Sequence, residues 1–209
     1  MDKFTIRNLE LLGNGSDGNQ CLLKILDSTI SPMGARLLKR WTIMPLKEEK
    51  RINERLDLVE FIIKEVDTRN KIITHLKQCG DIERLVSKIP MKKINPREVM
   101  QIARGLDHIG KVKELCKNAG NDYLKRLADS LNPCQYILGR IITEIVENPP
   151  VAVSKGGIIN EGISAELDEL RSIASGGKQY LVSLQQKELE LTGISSLKIG
   201  FNNVFGYYL

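Results

Sequence analysis

The composition of the chain is that of a globular protein with a mild excess of positive charge. It has 209 residues, of which 42% are hydrophobic, and a net charge of +5 from 31 Lys and Arg against 26 Asp and Glu. The apolar fraction is large enough to build a core. The charge suits nucleic acid, but it is equally that of an ordinary cytosolic protein. No stretch approaches the ~20 apolar residues of a membrane span, and the first residues do not resemble a signal peptide, so we predict a cytoplasmic protein.

Catalytic combinations of residues are absent from the sequence. The two histidines, His75 and His108, lie within helical patterns, with no cysteine or carboxylate at metal-ligand spacing. The run Gly176-Gly177-Lys178 lacks the leading glycine and the Ser or Thr of a phosphate loop. Four cysteines lie far apart and predict reduced core thiols: Cys21, Cys79, Cys116 and Cys134. We therefore predict no catalytic residue and no metal site.

The first segment of the chain predicts a strand. Phe4, Ile6 and Leu9 are apolar within residues 4–12, and a glycine-rich run at residues 13–18 follows. The glycine run has the spacing of neither a phosphate loop nor an EF-hand, so we interpret it as a surface turn.

Helical spacing of apolar residues dominates residues 19–148. The longest stripe there steps by four, three, four and three residues, through Ile52, Leu56, Val59, Ile63 and Val66. We predict a compact, nearly all-α core with the first strand at its edge. The residues expected to be buried in it are Leu37, Trp41, Leu56, Val59, Ile63, Leu85, Ile102, Leu106 and Ile141.

Capping residues mark two of the helix starts. Ser31 precedes Pro32, which places a serine at the N-cap and a proline at the first helical position. Asn95 precedes Pro96, and Glu98 follows three residues after the cap, which is the pattern of a capping box.

The helical spacing of apolar residues is interrupted near residues 150–163. A proline pair at residues 149–150 ends the preceding helix. Residues 151–153 predict a short extended piece, and the glycine pair at residues 156–157 predicts a turn. This change predicts a domain boundary.

A heptad repeat beginning near Ser164 is the most regular pattern in the chain. It predicts a helix of about 28 residues, roughly 40 Å long. Acidic residues in its first turns suit the helix dipole, and Gly193 ends it. The seam is formed by Leu167, Leu170, Leu181, Leu184 and Leu191, with Ala174, Gly177 and Glu188 at the intervening positions. Such a seam requires a partner helix or the surface of its own domain.

Two interpretations of the glycine pair Gly176-Gly177 remain open. Each glycine weakens intrinsic helicity by roughly 1 kcal/mol relative to alanine. The pair can mark close packing of another helix against a small residue, or it can be a point of flexion.

The last residues alternate like a β-hairpin. Leu197, Ile199 and Phe201 share one face, Asn202-Asn203 predicts a tight turn, and residues 204–209 predict the return strand. Since the sequence stops within an apolar strand, we expect it to be a segment of a longer protein.

Several stretches occur in an order that is typical of one protein family. They include Leu26–Trp41, Arg55–Glu60, Gly80–Leu85, Glu147–Pro150, Glu166–Arg171, Thr192–Ile194, Leu197–Asn202 and Phe205–Tyr208. No single stretch is decisive, but together and in order they resemble the MutS family of DNA mismatch-repair proteins.

The resemblance implies a mainly α architecture in three parts. Residues 1–163 would be the helical core domain with its N-terminal strand, residues 164–192 a lever helix, and residues 193–209 the start of the DNA clamp domain. The family's mismatch-reading and ATPase domains would lie outside this chain. The resemblance therefore implies no enzymatic activity here, and ATP and Mg²⁺ as cofactors of the whole protein only.

The same resemblance implies the role and the partners. The lever would couple the ATPase to a clamp that closes on mismatched double-stranded DNA, in a homodimer or with a paralogue, and with a MutL-type partner protein. No membrane partner is implied, and the whole protein would be cytoplasmic, of bacterial type, and associated with the nucleoid during repair.

Three polar residues of the terminal hairpin are candidates for DNA contact. Lys198 is the cation of this segment, and Asn202 and Asn203 are neutral donors suited to phosphates. The alternative is a solvated strand face and turn. A rival hypothesis for the whole chain is a helical protein-interaction module that does not act on DNA. It explains the helices and the unpaired seam but not the ordered stretches.

Overall fold

A computed structural model describes residues 1–13, 21–194 and 196–208, apart from the side chain of Lys178. The described chain is mainly α-helical, as the sequence predicts. It divides into two compact units, Met1–Ile158 and Ile159–Leu209. Most of the predicted turn at residues 13–18 falls outside the described residues.

The first unit is built from helices of five to 23 residues. They are α1 (Lys3–Asn8), α2 (Leu22–Leu26), α3 (Pro32–Ile43), α4 (Glu49–Lys64), α5 (Val66–Gln78), α6 (Ile82–Ser87), α7 (Pro96–Asn118), α8 (Asp122–Ser130) and α9 (Gln135–Glu144), followed by a 3-10 helix (Val153–Lys155). The second unit contains α10 (Ala165–Thr192) and an antiparallel hairpin of β1 (Gly200–Asn202) and β2 (Gly206–Tyr208).

The predicted N-terminal strand is wrong, because Lys3–Asn8 forms α1. Asp2 caps this helix, since one carboxylate oxygen accepts from the Thr5 amide at 2.8 Å and the other accepts from the Thr5 hydroxyl at 2.9 Å. A strand here would need a neighbouring strand for its backbone groups, whereas a helix satisfies them locally. Phe4, counted as a strand residue, is 74% exposed.

Both predicted helix starts are confirmed. The Ser31 hydroxyl accepts from the Gly34 amide at 3.1 Å at the start of α3. At the start of α7, the Asn95 side chain accepts from the Glu98 amide at 3.0 Å, and the Glu98 carboxylate accepts from the Asn95 amide at 3.1 Å. This reciprocal pair is a complete capping box.

Helix α7 lies at the centre of the first unit. Its first half contributes to one apolar cluster, and its second half contributes to another. The first cluster contains Ile102, Ala103, Leu106 and Leu138 of α9. The second contains Val112, Cys116, Leu124 and Ala128, the last two from α8. The core of this unit is therefore organised around a single helix.

The nine predicted core positions divide into two groups. Ile102 and Leu106 are buried, and Leu85 and Ile141 are half-buried against the first cluster. The prediction is wrong for the other five, which are exposed: Leu37, Trp41, Leu56, Val59 and Ile63.

The exposed positions on α4 result from a second apolar face on the same helix. Leu58, Phe61 and Ile62 pack against the second cluster, so the stripe through Leu56 and Val59 points away from it. Periodicity identifies an apolar face, but it does not say which of two faces meets the core.

The exposed Trp41 of α3 is partly covered by a cation. The Arg55 guanidinium lies 3.6 Å from the centre of the Trp41 ring, and the side chain remains 42% exposed. The indole therefore makes a cation–π contact with α4 rather than a core contact.

Near the end of the first unit, the predicted extended piece at residues 151–153 is wrong at Val153, which opens the 3-10 helix. A backbone hydrogen bond lies nearby, in which the Val146 amide donates to the Ile158 carbonyl at 2.9 Å. Among the described helices, none is long and apolar enough to cross a membrane.

Candidate functional site

The base of α10 is held by a set of polar contacts within the second unit. The Ser164 hydroxyl caps the helix by accepting from the Leu167 amide at 3.3 Å. The Asp168 carboxylate accepts from the Gly162 amide at 2.7 Å and from the Arg171 guanidinium at 3.1 Å. Arg171 also donates to the Ile159 carbonyl at 2.7 Å. The segment before the helix is thereby tied to its first two turns.

Helix α10 continues for 28 residues from this base. Residues 176 and 177 do not interrupt it, and it ends at Gly193, which adopts the left-handed conformation with φ of 70°. This is the C-terminal glycine stop that the sequence predicts.

The predicted leucine seam lies along this helix with uneven exposure. Leu170 is 58% exposed and Leu191 is 71% exposed. Leu167, Leu181 and Leu184 are half-buried. The seam therefore remains open to solvent at two of its leucines within the second unit.

The chain after α10 contacts its C-terminal half. The Gln185 side-chain amide donates to the Leu197 carbonyl at 2.9 Å, and Leu197 and Ile199 are half-buried. Gln185 was not predicted from the sequence. Its place beside the seam residue Leu184 is the signal that could have identified it.

The two helical glycines are open on their outer side. A Cβ added to Gly176 or Gly177 would meet no atom of the described chain within 4 Å. The first unit offers a contrast, because a Cβ on Gly105 would lie 2.6 Å from the Cys79 carbonyl oxygen. Close packing against Gly176-Gly177 is therefore not provided by the described residues.

The terminal hairpin is confirmed, but its turn lies later than predicted. Gly200 pairs with Tyr208, and Asn202 pairs with Gly206. The loop is therefore residues 203–205, and the return strand starts at Gly206, where φ is 77°. Gly206, rather than Asn202 or Asn203, adopts the positive φ of this turn.

The three candidate DNA-contacting residues lie on the surface of this segment. Lys198, Asn202 and Asn203 are exposed. The Asn202 side-chain oxygen accepts from the Val204 amide at 2.7 Å, so this oxygen shapes the loop while the amide nitrogen of the same side chain remains a donor.

Two apolar side chains that were predicted in the return strand lie in the loop instead. Val204 is 80% exposed and Phe205 is 84% exposed at the loop. On the strands, the rings of Phe201 and Tyr207 form a cross-strand pair with centroids 5.0 Å apart. This pair stabilises a hairpin that has two strands in the described residues.

Comparison with known proteins gives the family. The family model described as MutS domain III matches residues 4–197. The chain is 53% identical to the DNA mismatch repair protein MutS of Phocaeicola vulgatus and 51% identical to that of Bacteroides fragilis. It is 44% identical to that of Porphyromonas gingivalis. Each of these matches covers 100% of this chain and 24% of the relative.

These matches cover the residues of both compact units, so the class of the chain is a mainly α-helical segment similar to part of the DNA mismatch repair proteins MutS. The chain belongs to the MutS family, and most of it corresponds to domain III. It spans about a quarter of the length of the curated relatives that it matches. The hairpin of residues 200–208 lies beyond the part that the domain III model covers.

Proposed function

We propose that this chain is the supporting core and lever of a mismatch-repair protein, with α10 coupling an ATPase elsewhere in the protein to a clamp on mismatched DNA. The observation that carries the proposal is the form of α10. It is a continuous helix of 28 residues, fixed by polar contacts at its first turns, with seam leucines left exposed.

Stiffness is the property that a lever requires, because a rotation applied at one end reaches the other end only if the helix does not bend. A single exposed helix gains little stability from packing, whereas a second helix on the seam would stiffen it. We infer that a helix from the rest of the protein covers Leu170 and Leu191 in the whole protein.

The proposal assigns chemistry to other parts of the whole protein. Hydrolysis of ATP with Mg²⁺ would take place outside this chain, and no residue here is assigned a catalytic role. Mismatched double-stranded DNA, a second subunit and a MutL-type protein are the proposed partners. We propose bacterial cytoplasm as the location of the whole protein.

The rival hypothesis of an interaction module that does not act on DNA is not favoured. Its support was the unpaired seam, which a lever explains equally well. The relatives of this chain are named as DNA mismatch repair proteins, and those matches cover the complete chain.

The test of the lever compares two substitutions on α10 in the full-length protein. Leu170→Asp places a charge on the seam, and Ser172→Asp places the same charge on the opposite face, where the side chain is also exposed. We expect Leu170→Asp to slow ATP-dependent release from a mismatched DNA duplex by roughly tenfold or more, because burying an unpaired carboxylate costs more than the 1.4 kcal/mol of a tenfold change.

The isolated 209-residue chain provides the folding control. Neither substitution should shift its thermal midpoint appreciably, since both side chains are exposed in it. Equal effects of the two substitutions on DNA release would contradict the lever, because a lever requires only the seam to be covered.

We also propose that Lys198, Asn202 and Asn203 contact phosphates when the clamp is closed. In the full-length protein, Lys198→Ala should weaken DNA binding similarly for matched and mismatched duplexes and reduce the slope of log affinity against log salt by about 0.9. Lys187→Ala, which removes an exposed cation from α10, is the control. An unchanged slope for Lys198→Ala would place this residue outside the contact.

A further inference from the structure

The two histidines of the chain meet between α5 and α7. The Nδ1 atoms of His75 and His108 lie 3.1 Å apart, and both side chains are half-buried. These are the only histidines in the sequence, where each lies within a separate helical pattern. Their meeting is a product of the fold, because they are 33 positions apart.

The geometry of the contact is that of a hydrogen bond between two rings. The ring centres are 5.3 Å apart, much farther than the 3.1 Å between the nitrogens, and the ring planes are tilted by 38°. The rings therefore extend away from the contact on opposite sides, and the nitrogens point towards each other.

A metal ion would require a different orientation. Two imidazole nitrogens that bind one metal at about 2.0–2.1 Å point towards a common point beside the line that joins them. Within the described residues, no group of three His, Cys, Asp or Glu side chains is arranged to hold a metal ion. The head-on contact therefore favours a proton between the rings over a metal.

A head-on contact of this kind requires an unequal pair of nitrogens. One Nδ1 must carry a hydrogen and donate it, and the other must be unprotonated and accept it. If both rings carried a full complement of protons, both nitrogens would be donors, no acceptor would remain, and two positive charges would face each other.

The neighbouring charges do little to compensate for a second proton. Asp107, Lys111, Lys113 and Glu114 of α7 line the groove beside His75, whereas Pro133 and Gln135, which come from the segment around the start of α9, are uncharged. The Asp107 carboxylate is already paired with the Lys111 ammonium at 2.7 Å. On α5, Lys71 lies one turn before His75 and adds a further positive charge.

We propose that His75 and His108 form a pH-sensitive latch between α5 and α7. The latch is closed while the pair leaves one Nδ1 free to accept, and it opens when both rings are fully protonated. The device joins α5 to the central helix of the first unit, so acidification loosens that unit at one defined contact.

The sign of the pH dependence follows from the surroundings of His108. Burial lowers the pKa of His108 below its ordinary value, and the positive charges of Lys111 and His75 lower it further, against an opposing effect of Asp107. A lowered histidine pKa stabilises the fold above the pKa of the unfolded chain, and this stability is lost as the pH falls towards the folded value.

Carboxyl groups with shifted pKa values do not titrate in the same window. Arg36 lowers the pKa of Asp81, and Lys88 lowers the pKa of Glu98, so both of these carboxyl groups remain ionised well below neutral pH. A loss of stability between about pH 7.5 and pH 5.5 therefore reports on the histidine pair.

The experiment measures the thermal midpoint of the 209-residue chain at these two pH values. The double variant His75→Asn with His108→Asn retains polar groups able to form a hydrogen bond near the Nδ1 positions but cannot titrate. On acidification, the thermal midpoint of wild type should fall by about 2–4 °C more than that of this double variant. Gln101→His is the matched control, because it adds an exposed imidazole to α7 and should add no acid sensitivity of this size.

Nitrogen NMR of the imidazoles provides a readout that does not depend on stability. At neutral pH, the wild-type rings should show one protonated and one unprotonated Nδ1. In His75→Asn, the pKa of His108 should rise, because the neighbouring positive charge is removed. Should His75→Asn fail to fold, the wild-type spectrum still tests the shared proton.

Two results would overturn the latch. One is an equal loss of midpoint on acidification in wild type and in the double variant. The other is stabilisation of wild type, but not of the double variant, by micromolar Zn²⁺ at neutral pH, which would make the pair a metal clamp.

Discussion

The longest helices of the two units, α7 and α10, differ in what surrounds them. Helix α7 has 23 residues and buries eight of them, from Pro96 to Cys116. Helix α10 has 28 residues, and none of its described side chains is buried. Both begin with a side-chain cap, at Asn95 in one case and at Ser164 in the other.

The comparison shows that helix length and burial have separate origins. Capping and apolar spacing suffice to mark both helices in the sequence. Burial depends on the neighbours that the fold supplies, and α7 has α5, α6, α8 and α9 around it. Helix α7 therefore organises a core, whereas α10 leaves Leu170 and Leu191 of its seam exposed.

The largest expected effect contrasts a leucine from each helix. Leu106→Ala removes a side chain that is 8% exposed in the first cluster and should lower the free energy of unfolding by about 2–5 kcal/mol. Leu170→Ala, at a seam position that is 58% exposed, should change it by no more than about 0.5 kcal/mol. Urea unfolding of the 209-residue chain measures both changes. Similar losses of unfolding free energy in the two variants would contradict the difference in burial between α7 and α10.

A smaller effect is expected from two glycines of the same helix. A Cβ at Gly105 would lie 2.6 Å from the Cys79 carbonyl oxygen, so Gly105→Ala should destabilise the chain by about 1–3 kcal/mol despite its better helix propensity. At Gly110, the nearest atoms lie at 3.7 Å, and Gly110→Ala should be neutral or stabilise by up to about 1 kcal/mol. If both variants were stabilised in thermal unfolding, α5 and α7 would not approach as closely as described.

For α10 the corresponding substitution should be favourable. Gly177→Ala meets no described atom within 4 Å and should stabilise the helix by up to about 1 kcal/mol. Slower amide exchange over residues 177–192 would show this gain. Gly139→Ala on α9 is the control. Its Cβ also meets open space, but the substitution lies outside α10 and should leave amide exchange over residues 177–192 unchanged. Unchanged exchange in Gly177→Ala would show that the helix interior is already protected by other contacts.

The smallest expected effect concerns the two helix starts. The Glu98 carboxylate binds Lys88 and the Asn95 amide, and the Lys88 contact lowers the pKa of Glu98 more than the amide does. A lowered carboxyl pKa stabilises the fold above the unfolded value, and the stability is lost as the pH falls through the folded value.

Glu98→Gln should therefore reduce the loss of thermal midpoint between about pH 6 and pH 3. Glu166→Gln in the first turn of α10 is the control, since Glu166 is exposed and the Ser164 hydroxyl caps that helix. Equal acid sensitivity of wild type and Glu98→Gln would contradict a contribution of the charged capping box.

Local chemistry made several features predictable. The caps at Ser31 and Asn95 and the glycine stop at Gly193 depend on residues within a few positions of each other, and all three are confirmed. The terminal hairpin was also predicted, but its turn was displaced, because Gly206 was not recognised as the residue that adopts positive φ.

Contacts between distant residues were not predictable in this way. The stripe through Leu56, Val59 and Ile63 has correct helical spacing, but it is exposed because Phe61 and its neighbours occupy the face that meets the core. The N-terminal strand failed for a related reason, since a strand forms only where the fold offers a neighbouring strand. The residues proposed to contact DNA, Lys198, Asn202 and Asn203, are exposed, and the periodicity of apolar residues gives no information about exposed polar side chains.

The sequence by itself determined the helical character of most of the chain after residue 19, the caps at Ser31 and Asn95, the stop at Gly193 and the resemblance to the MutS family, because these depend on short-range spacing and on residue order. Only the tertiary structure decided which apolar faces are buried, where Arg171 and Gln185 tie the second unit together, and that His75 meets His108. The physical reason is that burial and ring contacts depend on pairs of elements that are distant in the sequence. The sequence of one helix does not determine which of its faces another helix will cover.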